Sequence, residues 1–457
     1  MTASKPQLTE LRHKPVAESK GLPLRVAFWT LGCRLNQYDT EGIKTAMADR
    51  YRIKVVPWRE IADLYILNSC TVTGKADQEC RRLARQAKKR NPQSWVVVAG
   101  CYAQTQPEIL SAISEIDGVI GNTAKEDVSS WLPPLIANSE PIIAVEKFPE
   151  HPVFDSPLVA SFSGRSRAFV KIQDGCDLRC TYCLIWKARG PGRSRTVADV
   201  LEQLRRLVAA GFPETILAGI HLGAYGRDLQ PRTELPELLR LIRKEFPELR
   251  IRLSSIHPNE ITPDLLKLFA SGGNLRPHLH ISLQSGSDGV LKRMKRPYQA
   301  QRARQALLEA ASLDPAFGIG ADVIVGFPGE SDQEFEETRR MVQELPFSYL
   351  HVFRYSQRPG TLASEMPGQV QPEIITQRSG ILRQLAAEKQ LEFSRGLIGS
   401  TREAVVESAS KLDGWREATT DNYISILVPD QLSAGTMLPV KIESVNEGRI
   451  FASLPGV

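Results

Sequence analysis

The chain has 457 residues, an ordinary share of apolar side chains and a formal net charge of +6. This length is enough for about two to four domains with substantial cores. Neither a bilayer-spanning apolar run nor the apolar core of a secretory signal is present, so we expect a cytoplasmic protein with no membrane contact. The mild positive charge suits an anionic partner such as a nucleic acid.

The N-terminal half is predicted to begin with a disordered tail, residues 1–23, followed by an α/β domain over residues 24–135. Short apolar strands alternate there with helical stretches, which is typical of an open parallel sheet. The strands are expected at Arg25–Thr30, Leu64–Asn68 and Trp95–Ala99, and the helices at Asn36–Ala48, Lys75–Arg90 and Pro107–Ile113. The Pro- and Ser-rich stretch from Pro133 to Gly164 is interpreted as a linker, with bounds at 136–163.

Residues 164–395 repeat the strand–helix alternation with longer units, and we expect a partial TIM-like barrel, (β/α)6, whose active site lies at the carboxyl ends of its strands. The six strands are predicted at Ala168–Ile172, Thr215–Ala218, Ile251–Ser254, His280–Leu283, Ala321–Val325 and Tyr349–Phe353. The helices are predicted at Val197–Ala210, Leu235–Lys244, Pro263–Ser271, Arg302–Ser312, Asp332–Glu344 and Pro372–Gly396. Residues 396–457 carry short β-rich runs separated by Gly, Asp and Asn, which predict a small β-barrel.

Three cysteines, Cys176, Cys180 and Cys183, follow the first barrel strand with the spacing C-x3-C-x2-C. Thiolates this close on a short loop suit one iron–sulfur cluster, and three ligands on a four-iron cluster leave one iron open. Structural zinc is the alternative, although zinc prefers four ligands in paired modules and no second pair follows. Because the total of seven cysteines is odd and no signal peptide is predicted, a disulfide framework is disfavoured.

Three further cysteines, Cys33, Cys70 and Cys101, each come soon after a predicted strand of the N-terminal sheet. The carboxyl ends of parallel strands line the ligand crevice of an open α/β sheet, so these thiols are expected to converge on a second three-cysteine site. Each one taken singly also fits a small buried residue at a strand end. Cys80 lies inside a predicted helix and is interpreted as structural.

An open iron can be chelated by the amino and carboxylate groups of S-adenosylmethionine (SAM), whose one-electron cleavage gives a radical that takes hydrogen from unactivated C–H bonds. Four residues are candidates for binding this cofactor. Tyr182 fits an aromatic position against adenine, and Gly219 ends the second strand where backbone can approach the methionine amine. Ser282 and Gln284 are expected to share one face at the end of the fourth strand.

Basic residues predict an RNA-facing rim on the barrel. They lie after the cysteine loop (Arg189, Arg193, Arg195) and after the fourth strand (Lys292, Arg293, Lys295, Arg296). The predicted helix Lys75–Arg90 carries further basic residues that could contact RNA phosphates. Thr401–Val457 carries eight acidic and five basic residues, a net charge of −3, so the tail alone is a poor electrostatic match for RNA.

Several motifs resemble the radical-SAM methylthiotransferase family. Gly32–Glu41, Asn68–Thr73 and Gly100–Gln104 are similar to its N-terminal domain, Lys171–Cys183, Gln284–Ser287 and His351–Ser356 to its barrel, and the tail to the TRAM RNA-binding module. The resemblance implies two [4Fe-4S] clusters, one on Cys33, Cys70 and Cys101 and one on Cys176, Cys180 and Cys183. It also implies SAM as methyl donor and radical source, a tRNA partner, a flavodoxin- or ferredoxin-like electron donor and a sulfur donor.

Among the family's branches, Thr30–Tyr38 and Cys70–Thr73 most resemble the one that modifies N6-threonylcarbamoyladenosine in tRNA. The resemblance therefore implies insertion of a methylthio group at C2 of that base at adenosine 37, next to the anticodon. The alternatives are the same chemistry on N6-isopentenyladenosine, and a non-catalytic iron–sulfur RNA-binding redox sensor. One departure is Leu184-Ile185-Trp186-Lys187, where the family usually has two aliphatic residues and Pro-Tyr; Trp186 thus leaves substrate fit open.

Overall fold

The computed structural model describes residues 22–138, 140–162, 164–409 and 412–455. The predicted disordered tail lies outside the described residues except for positions 22 and 23. The chain forms two compact units. The first contains the described residues up to Val159 together with Gly175–Asp177 and Leu184–Pro191, and the second contains Ala160–Asp174, Leu178–Cys183 and the described residues from Gly192 onward. Among the described residues, no helix combines the length and apolarity needed to cross a membrane.

The first unit is built on a parallel sheet of six strands, as the alternation predicted. The strands are β1 (Leu24–Thr30), β2 (Ile53–Val56), β3 (Leu64–Ser69), β4 (Trp95–Gly100), β5 (Gly118–Ile120) and β6 (Ile142–Ala144). Their order is β2-β1-β3-β4-β5-β6, so the chain leaves β1 for one side of the sheet and later returns to the other. The gap between the ends of β1 and β3 is therefore the topological switch point, where such sheets bind ligands.

Helices cover both faces of this sheet because its strands are apolar on both sides. They are α1 (Arg34–Arg50), α2 (Gly74–Arg90), α3 (Cys101–Thr105), α4 (Pro107–Ser111), α5 (Val128–Ala137) and α6 (Ile185–Arg189). One core joins β3 and β4 to Cys80, Leu83 and Ala84 of α2, which confirms Cys80 as a core residue. The other core joins the opposite sides of the same strands to α1 and α5.

The predicted linker is partly wrong, because ordered structure of the first unit continues into it. Helix α5 runs through Pro133 and Pro134, and β6 pairs in parallel with β5. The proline pair suggested a break, but Trp131, Leu132 and Leu135 are buried in the core and keep the segment helical. Tertiary packing thus outweighs the unfavourable local propensity of proline.

The second unit contains the predicted barrel strands, all of which pair in parallel. They are β7 (Ala168–Lys171), β10 (Glu214–Ala218), β11 (Arg250–Leu253) continued by β12 (Ser255–Ile256), β13 (His278–Gln284), β14 (Gly318–Val325) and β15 (Tyr349–Arg354). A separate antiparallel pair is formed by β8 (Gln173–Asp174) and β9 (Arg193–Ser194). Between them lie α7 (Val197–Ala209), α8 (Leu235–Glu245), α9 (Pro263–Ala270), α10 (Asp288–Arg293), α11 (Ala300–Ala311) and α12 (Asp332–Glu344), followed by α13 (Leu362–Glu365) and α14 (Pro372–Gly396).

The C-terminal residues form a closed five-stranded barrel, as predicted. Its strands are β16 (Thr401–Ala409), β17 (Trp415–Thr420), β18 (Ser425–Pro429), β19 (Met437–Asn446) and β20 (Arg449–Ser453). This barrel belongs to the same compact unit as the larger one. Arg252 on β11 donates to the carbonyl oxygens of Thr420 and Asp421, each at 3.0 Å, which ties the two barrels together.

The buried carboxylate of Glu214 organises this junction. It accepts hydrogen bonds from Arg252 at 3.0 Å and Arg276 at 2.9 Å, and Arg167 lies 3.5 Å away. Burial alone would raise the pKa of Glu214, but the surrounding guanidinium groups outweigh it and lower the pKa to about 2. The carboxylate is therefore ionised wherever the unit is folded at ordinary pH.

Replacing Glu214 by Gln is expected to destabilise the second unit by roughly 3–5 kcal/mol, because Arg252 would stay buried without its carboxylate partner, while Arg276 would keep only its pair with Glu403. Urea unfolding measures this loss. Glu202→Gln, which removes exposed ion pairs on α7, is the matched control and should leave the unfolding midpoint nearly unchanged, because solvent screens exposed ion pairs.

The same site predicts an acid dependence of stability. The pKa of Glu214 is depressed in the folded state, so its contribution is present above about 4.5 and is lost as pH falls toward 2. The wild-type protein should lose this contribution over that window, and Glu214→Gln should show a flatter acid limb. Equal acid limbs would contradict the assignment.

Candidate functional site

Three cysteines of the first unit lie at the carboxyl ends of adjacent strands, where the sequence placed them. Cys33 is the residue before α1, Cys70 follows β3 directly, and Cys101 opens α3 immediately after β4. Cys33 and Cys70 flank the switch point of the sheet. Parallel pairing of β1, β3 and β4 therefore brings together three thiols that are far apart in sequence.

One asparagine side chain bridges the thiols. The Oδ1 atom of Asn36 lies 4.0 Å from the Sγ of Cys33 and 3.9 Å from the Sγ of Cys101. Its Nδ2 donates to the carbonyl oxygens of Leu31 at 2.7 Å and Ser69 at 2.9 Å, which fixes the amide between β1 and β3. Asn36 is thus held by backbone on both sides of the switch point.

The close approach of Cys70 to the Cys33 and Cys101 thiols depends on Gly32. The backbone there has φ of +96°, and a Cβ atom would lie 2.8 Å from the Sγ of Cys70. Glycine avoids both the unfavourable conformation and the clash. The space around the Cys70 sulfur is therefore preserved by the residue before Cys33.

A buried charge network surrounds the thiols. Arg189 of α6 donates to Asn36 at 2.6 Å and to Asp39 at 2.7 Å, and Lys125 donates to the same Asp39 oxygen at 2.5 Å. All three ionisable side chains are almost completely buried, and they carry two positive charges against one negative charge. Asn122 links Lys125 to the site, since its Nδ2 lies 3.5 Å from the Sγ of Cys101.

The thiol environment suits a metal cluster. Burial raises the pKa of the Cys70 thiol to about 12. Cys33 keeps accessible surface, while Cys70 and Cys101 are buried. Thiols that resist ionisation on their own become thiolates when a bound cation supplies the compensating charge. Three soft donors in one pocket, with excess positive charge nearby, fit an iron–sulfur cluster.

The second cysteine group lies on the loop after β7 and β8. Cys176 belongs to the first unit, where its N–H donates to the carbonyl oxygen of Gly190 at 3.0 Å. Cys180 and Cys183 belong to the second unit, where Thr181 between them anchors the loop through its N–H to Met294 and its hydroxyl to the Arg293 carbonyl. The loop is thus fixed on both sides by backbone contacts.

Arg296 contacts this loop directly. Its Nη1 lies 3.4 Å from the Sγ of Cys180, and its Nη2 donates to the Ser282 carbonyl oxygen at 3.0 Å. Tyr298 donates to that same oxygen at 2.7 Å. The guanidinium therefore joins the cysteine loop to the end of β13 and places a positive charge beside one thiol.

The remaining predicted cofactor residues lie around the carboxyl ends of the barrel strands. Tyr182 packs edge-on against Phe327 with 6.4 Å between ring centroids, in a cluster that includes Val290 and Met294. Gly219 follows β10, and its N–H lies 3.4 Å from the Ser254 hydroxyl. A contact with SAM stays a prediction for all four residues.

Ser282 and Gln284 are not related by the simple alternation from which the sequence predicted that they share a face. The register between β13 and β14 shifts by one residue between Ile281 and Gln284, and Gln284 has φ of +65°. A bulge breaks the period of two on which the expectation rested. Strained backbone of this kind is concentrated at functional sites.

The predicted basic rim of the barrel is largely wrong. Arg189 and Arg195 are buried, Arg193 pairs with Asp174 at 3.3 Å, and Arg296 faces Cys180. Arg293 forms a paired contact with Glu334, so Lys292 and Lys295 are the exposed, unengaged positions of that predicted set among the described residues. Sequence alone showed the charges but could not show which of them the fold turns inward.

Comparison with known proteins agrees with this geometry. Residues 170–342 match the Radical SAM superfamily, and residues 25–121 match Uncharacterized protein family UPF0004. A threonylcarbamoyladenosine tRNA methylthiotransferase of Aquifex aeolicus is 38% identical over 422 residues, which cover 92% of this chain and 100% of that protein. The chain belongs to the radical-SAM methylthiotransferase family.

A second relative of this methylthiotransferase is the tRNA-2-methylthio-N(6)-dimethylallyladenosine synthase of Syntrophobacter fumaroxidans, 33% identical and covering 94% of this chain and 96% of that protein. Among solved structures, the radical S-adenosylmethionine methyltransferase TsrM from Kitasatospora setae aligns with a TM-score of 0.55 and 14% identity, covering 75% of this chain and 77% of that one. That likeness concerns the fold. As a family member, the methylthiotransferase uses SAM and [4Fe-4S] clusters.

The buried charge network of the first unit gives a testable consequence. Asp39→Asn is expected to destabilise this unit by roughly 3–5 kcal/mol, because the buried Lys125 and Arg189 would each lose the ion pair with this carboxylate. Denaturant unfolding of the metal-free protein measures the loss.

Asp49→Asn is the control, since Asp49 is exposed on the same helix and the same substitution there should change stability by less than about 0.5 kcal/mol. Equal effects of the two substitutions would show that Asp39 does not hold the network together.

Proposed function

We propose that this chain inserts a methylthio group at C2 of N6-threonylcarbamoyladenosine at adenosine 37 of tRNA. The observation that carries the proposal is the pair of three-cysteine groups, one at the switch point of the sheet and one on the barrel loop. The similarity to the Aquifex aeolicus enzyme supports the choice of base. tRNA is accordingly the macromolecular substrate.

The six cysteines divide into two ligand sets. Cys33, Cys70 and Cys101 would hold the auxiliary cluster, and Cys176, Cys180 and Cys183 would hold the cluster that binds SAM. When bound, these groups supply radical generation, the sulfur atom and the methyl group. The donor sets fit this assignment because each has three thiols, so each cluster keeps one iron without a protein ligand.

The protein's own residues position these groups and control their surroundings. Arg296 places a fixed positive charge beside Cys180 and anchors the loop to β13, while Arg189 places a fixed positive charge on Asn36 Oδ1, the atom that faces the Cys33 and Cys101 sulfurs. Hydrogen bonds and positive charge near cluster sulfurs favour the more reduced, more negative state. Tyr182, Gly219, Ser282 and Gln284 are our candidates for holding SAM.

Two protein partners follow from the chemistry of turnover. Reduction of the clusters needs an electron donor of flavodoxin or ferredoxin type, and repeated sulfur insertion needs a sulfur donor. For tRNA, the exposed Lys75 and Lys89 of α2 are better placed than most of the basic residues of the barrel, and Arg82 and Arg85 are exposed but pair with Glu79 and Glu115. Phosphate contacts of this kind give affinity that falls with salt.

Nucleoside mass spectrometry on tRNA from a deletion strain tests the proposed substrate. We expect loss of the methylthio derivative of threonylcarbamoyladenosine and accumulation of the unmodified parent, with restoration by the wild-type gene. Unchanged levels in a strain without a paralogue would refute the proposal. Loss of the methylthio-isopentenyl nucleoside instead would assign the same chemistry to the other base.

Iron analysis of anaerobically reconstituted protein tests the two ligand sets. Wild type should bind about eight irons, and the triple variants Cys33→Ala/Cys70→Ala/Cys101→Ala and Cys176→Ala/Cys180→Ala/Cys183→Ala should each keep about four. Cys80→Ala is the matched control and should keep the full number, because Cys80 packs in the core of the first unit. A full complement in either triple variant would refute that ligand set.

A further inference from the structure

The inner face of the last three barrel strands carries a polar cluster outside the cysteine sites. On β14, the fully buried residues Ala321, Val323 and Val325 alternate with Gly320, Asp322 and Ile324. Asp322 lies opposite His351 of β15, and Gly320 lies opposite Tyr349. Because alternate residues of a barrel strand point inward, Asp322 shares the interior face with Gly320 and Ile324, and Ala321, Val323 and Val325 point to the covering helices.

The cluster is a connected chain of hydrogen bonds. Asp322 Oδ1 lies 3.0 Å from His280 Nε2 and 3.2 Å from His351 Nδ1, and His280 Nδ1 lies 2.9 Å from Tyr349 Oη. Burial alone would raise the pKa of Asp322, but the two imidazoles outweigh it and hold the pKa well below its usual range. An ionised carboxylate only accepts, so both imidazole nitrogens that face it carry hydrogens.

This arrangement leaves one nitrogen available. His280 is buried and both of its ring nitrogens are engaged, whereas the His351 side chain is 56% exposed. Its Nδ1 is held by Asp322, and its Nε2 has no hydrogen-bond partner among the described residues. His351 is therefore a fixed imidazole that presents its second nitrogen to the open interior.

The cluster lies close to the predicted reaction site. Ile324 comes two residues after Asp322 on the same strand and packs in the cluster that includes Tyr182 of the cysteine loop. Two residues along a strand span about 7 Å. The free nitrogen of His351 is thus about one layer of side chains from the cysteine loop.

We propose that His351, fixed by Asp322 and His280, binds the polar N6-threonylcarbamoyl group of the substrate and selects it over a hydrocarbon group at the same position. This inference rests on the proposed function. The threonylcarbamoyl group has ureido N–H groups, a hydroxyl and a carboxylate. A neutral His351 accepts a hydrogen bond at Nε2 from the first two, and an imidazolium donates to the carboxylate.

A dimethylallyl group offers none of these partners. Placing it against His351 would remove water from the imidazole and the neighbouring carboxylate without replacing their hydrogen bonds, which is unfavourable. Sites built around a hydrogen bond reject an analogue that lacks the partner far more strongly than apolar pockets reject an extra group. The polar cluster therefore favours binding of the threonylcarbamoyl base for a chemical reason that does not depend on overall sequence similarity.

Binding measurements with two anticodon stem-loops test the inference. One carries threonylcarbamoyladenosine at position 37 and the other carries isopentenyladenosine, and the ratio of their Kd values for the reconstituted protein measures selection of the polar group over the hydrocarbon group. We expect His351→Leu to reduce this ratio by about tenfold, because one hydrogen bond to a charged or strongly polar group is lost. His351→Gln should keep most of the ratio, since the amide retains donor and acceptor atoms.

His151→Leu, the same change at an exposed histidine of the first unit, is the control and should leave the ratio unchanged. An unchanged ratio in His351→Leu, in a protein whose wild type methylthiolates the threonylcarbamoyl substrate, would overturn this inference and leave the proposed function standing. A wild type that neither discriminates nor methylthiolates would overturn the proposed function itself. Retention of one equivalent of zinc by cluster-free wild type and its loss in His351→Leu would also overturn the inference, in favour of a cation site.

Discussion

The relative positions of the Cys33 and Cys101 thiols depend on one hydrogen-bonded unit, the Asn36 amide held between the Leu31 and Ser69 carbonyl oxygens. A parallel sheet brings strand ends to one edge, but it does not by itself fix sulfur atoms relative to each other. Asn36 does so by donating to backbone on both strands while its oxygen faces Cys33 and Cys101. Arg189 then binds the same oxygen, and Asp39 and Lys125 hold Arg189 in place.

A similar solution appears in the second unit, with different elements. Arg296 connects Cys180 to the end of β13, and Tyr298 supports the same carbonyl oxygen. In both units a guanidinium group lies next to the thiols and is itself fixed by oxygen acceptors. Arginine suits this role because it stays charged under all ordinary conditions and donates several hydrogen bonds in a fixed geometry. Lysine at the same positions would supply the charge without the fixed geometry.

The sequence predicted the fold well because its signals were local. Alternating apolar strands and amphipathic helices predicted the parallel sheet and the barrel, and the strand-end positions of Cys33, Cys70 and Cys101 predicted that these thiols lie together. Their role as cluster ligands stays a prediction. Helix α5 was missed because Pro133 and Pro134 oppose a helix locally while Trp131 and Leu135 stabilise it through the core. The direction in which a charged side chain points is not local information. The sequence therefore predicts an RNA-facing rim for Arg189 and Arg296, whereas in the structure Arg189 donates to Asn36 and Arg296 contacts Cys180.

The polar cluster on β13, β14 and β15 also could not be predicted from sequence patterns. His280, Asp322 and His351 lie on three separate strands, and only the pairing register places them together. Alternation would have predicted which face each residue takes, but the bulge before Gln284 shows that register can shift within one strand. Function in this protein thus depends on contacts between distant segments, while the elements that carry them are encoded locally.

Anaerobic turnover with purified components is the most direct test of the proposed methylthiolation activity. Reconstituted protein would be mixed with SAM, a strong reductant and an anticodon stem-loop that carries threonylcarbamoyladenosine, and the nucleosides would be analysed by mass spectrometry. We expect a nucleoside product in which a methylthio group replaces the C2 hydrogen of the substrate, formed together with 5′-deoxyadenosine and S-adenosylhomocysteine. Recovery of the unmodified nucleoside from protein that holds both clusters would contradict it.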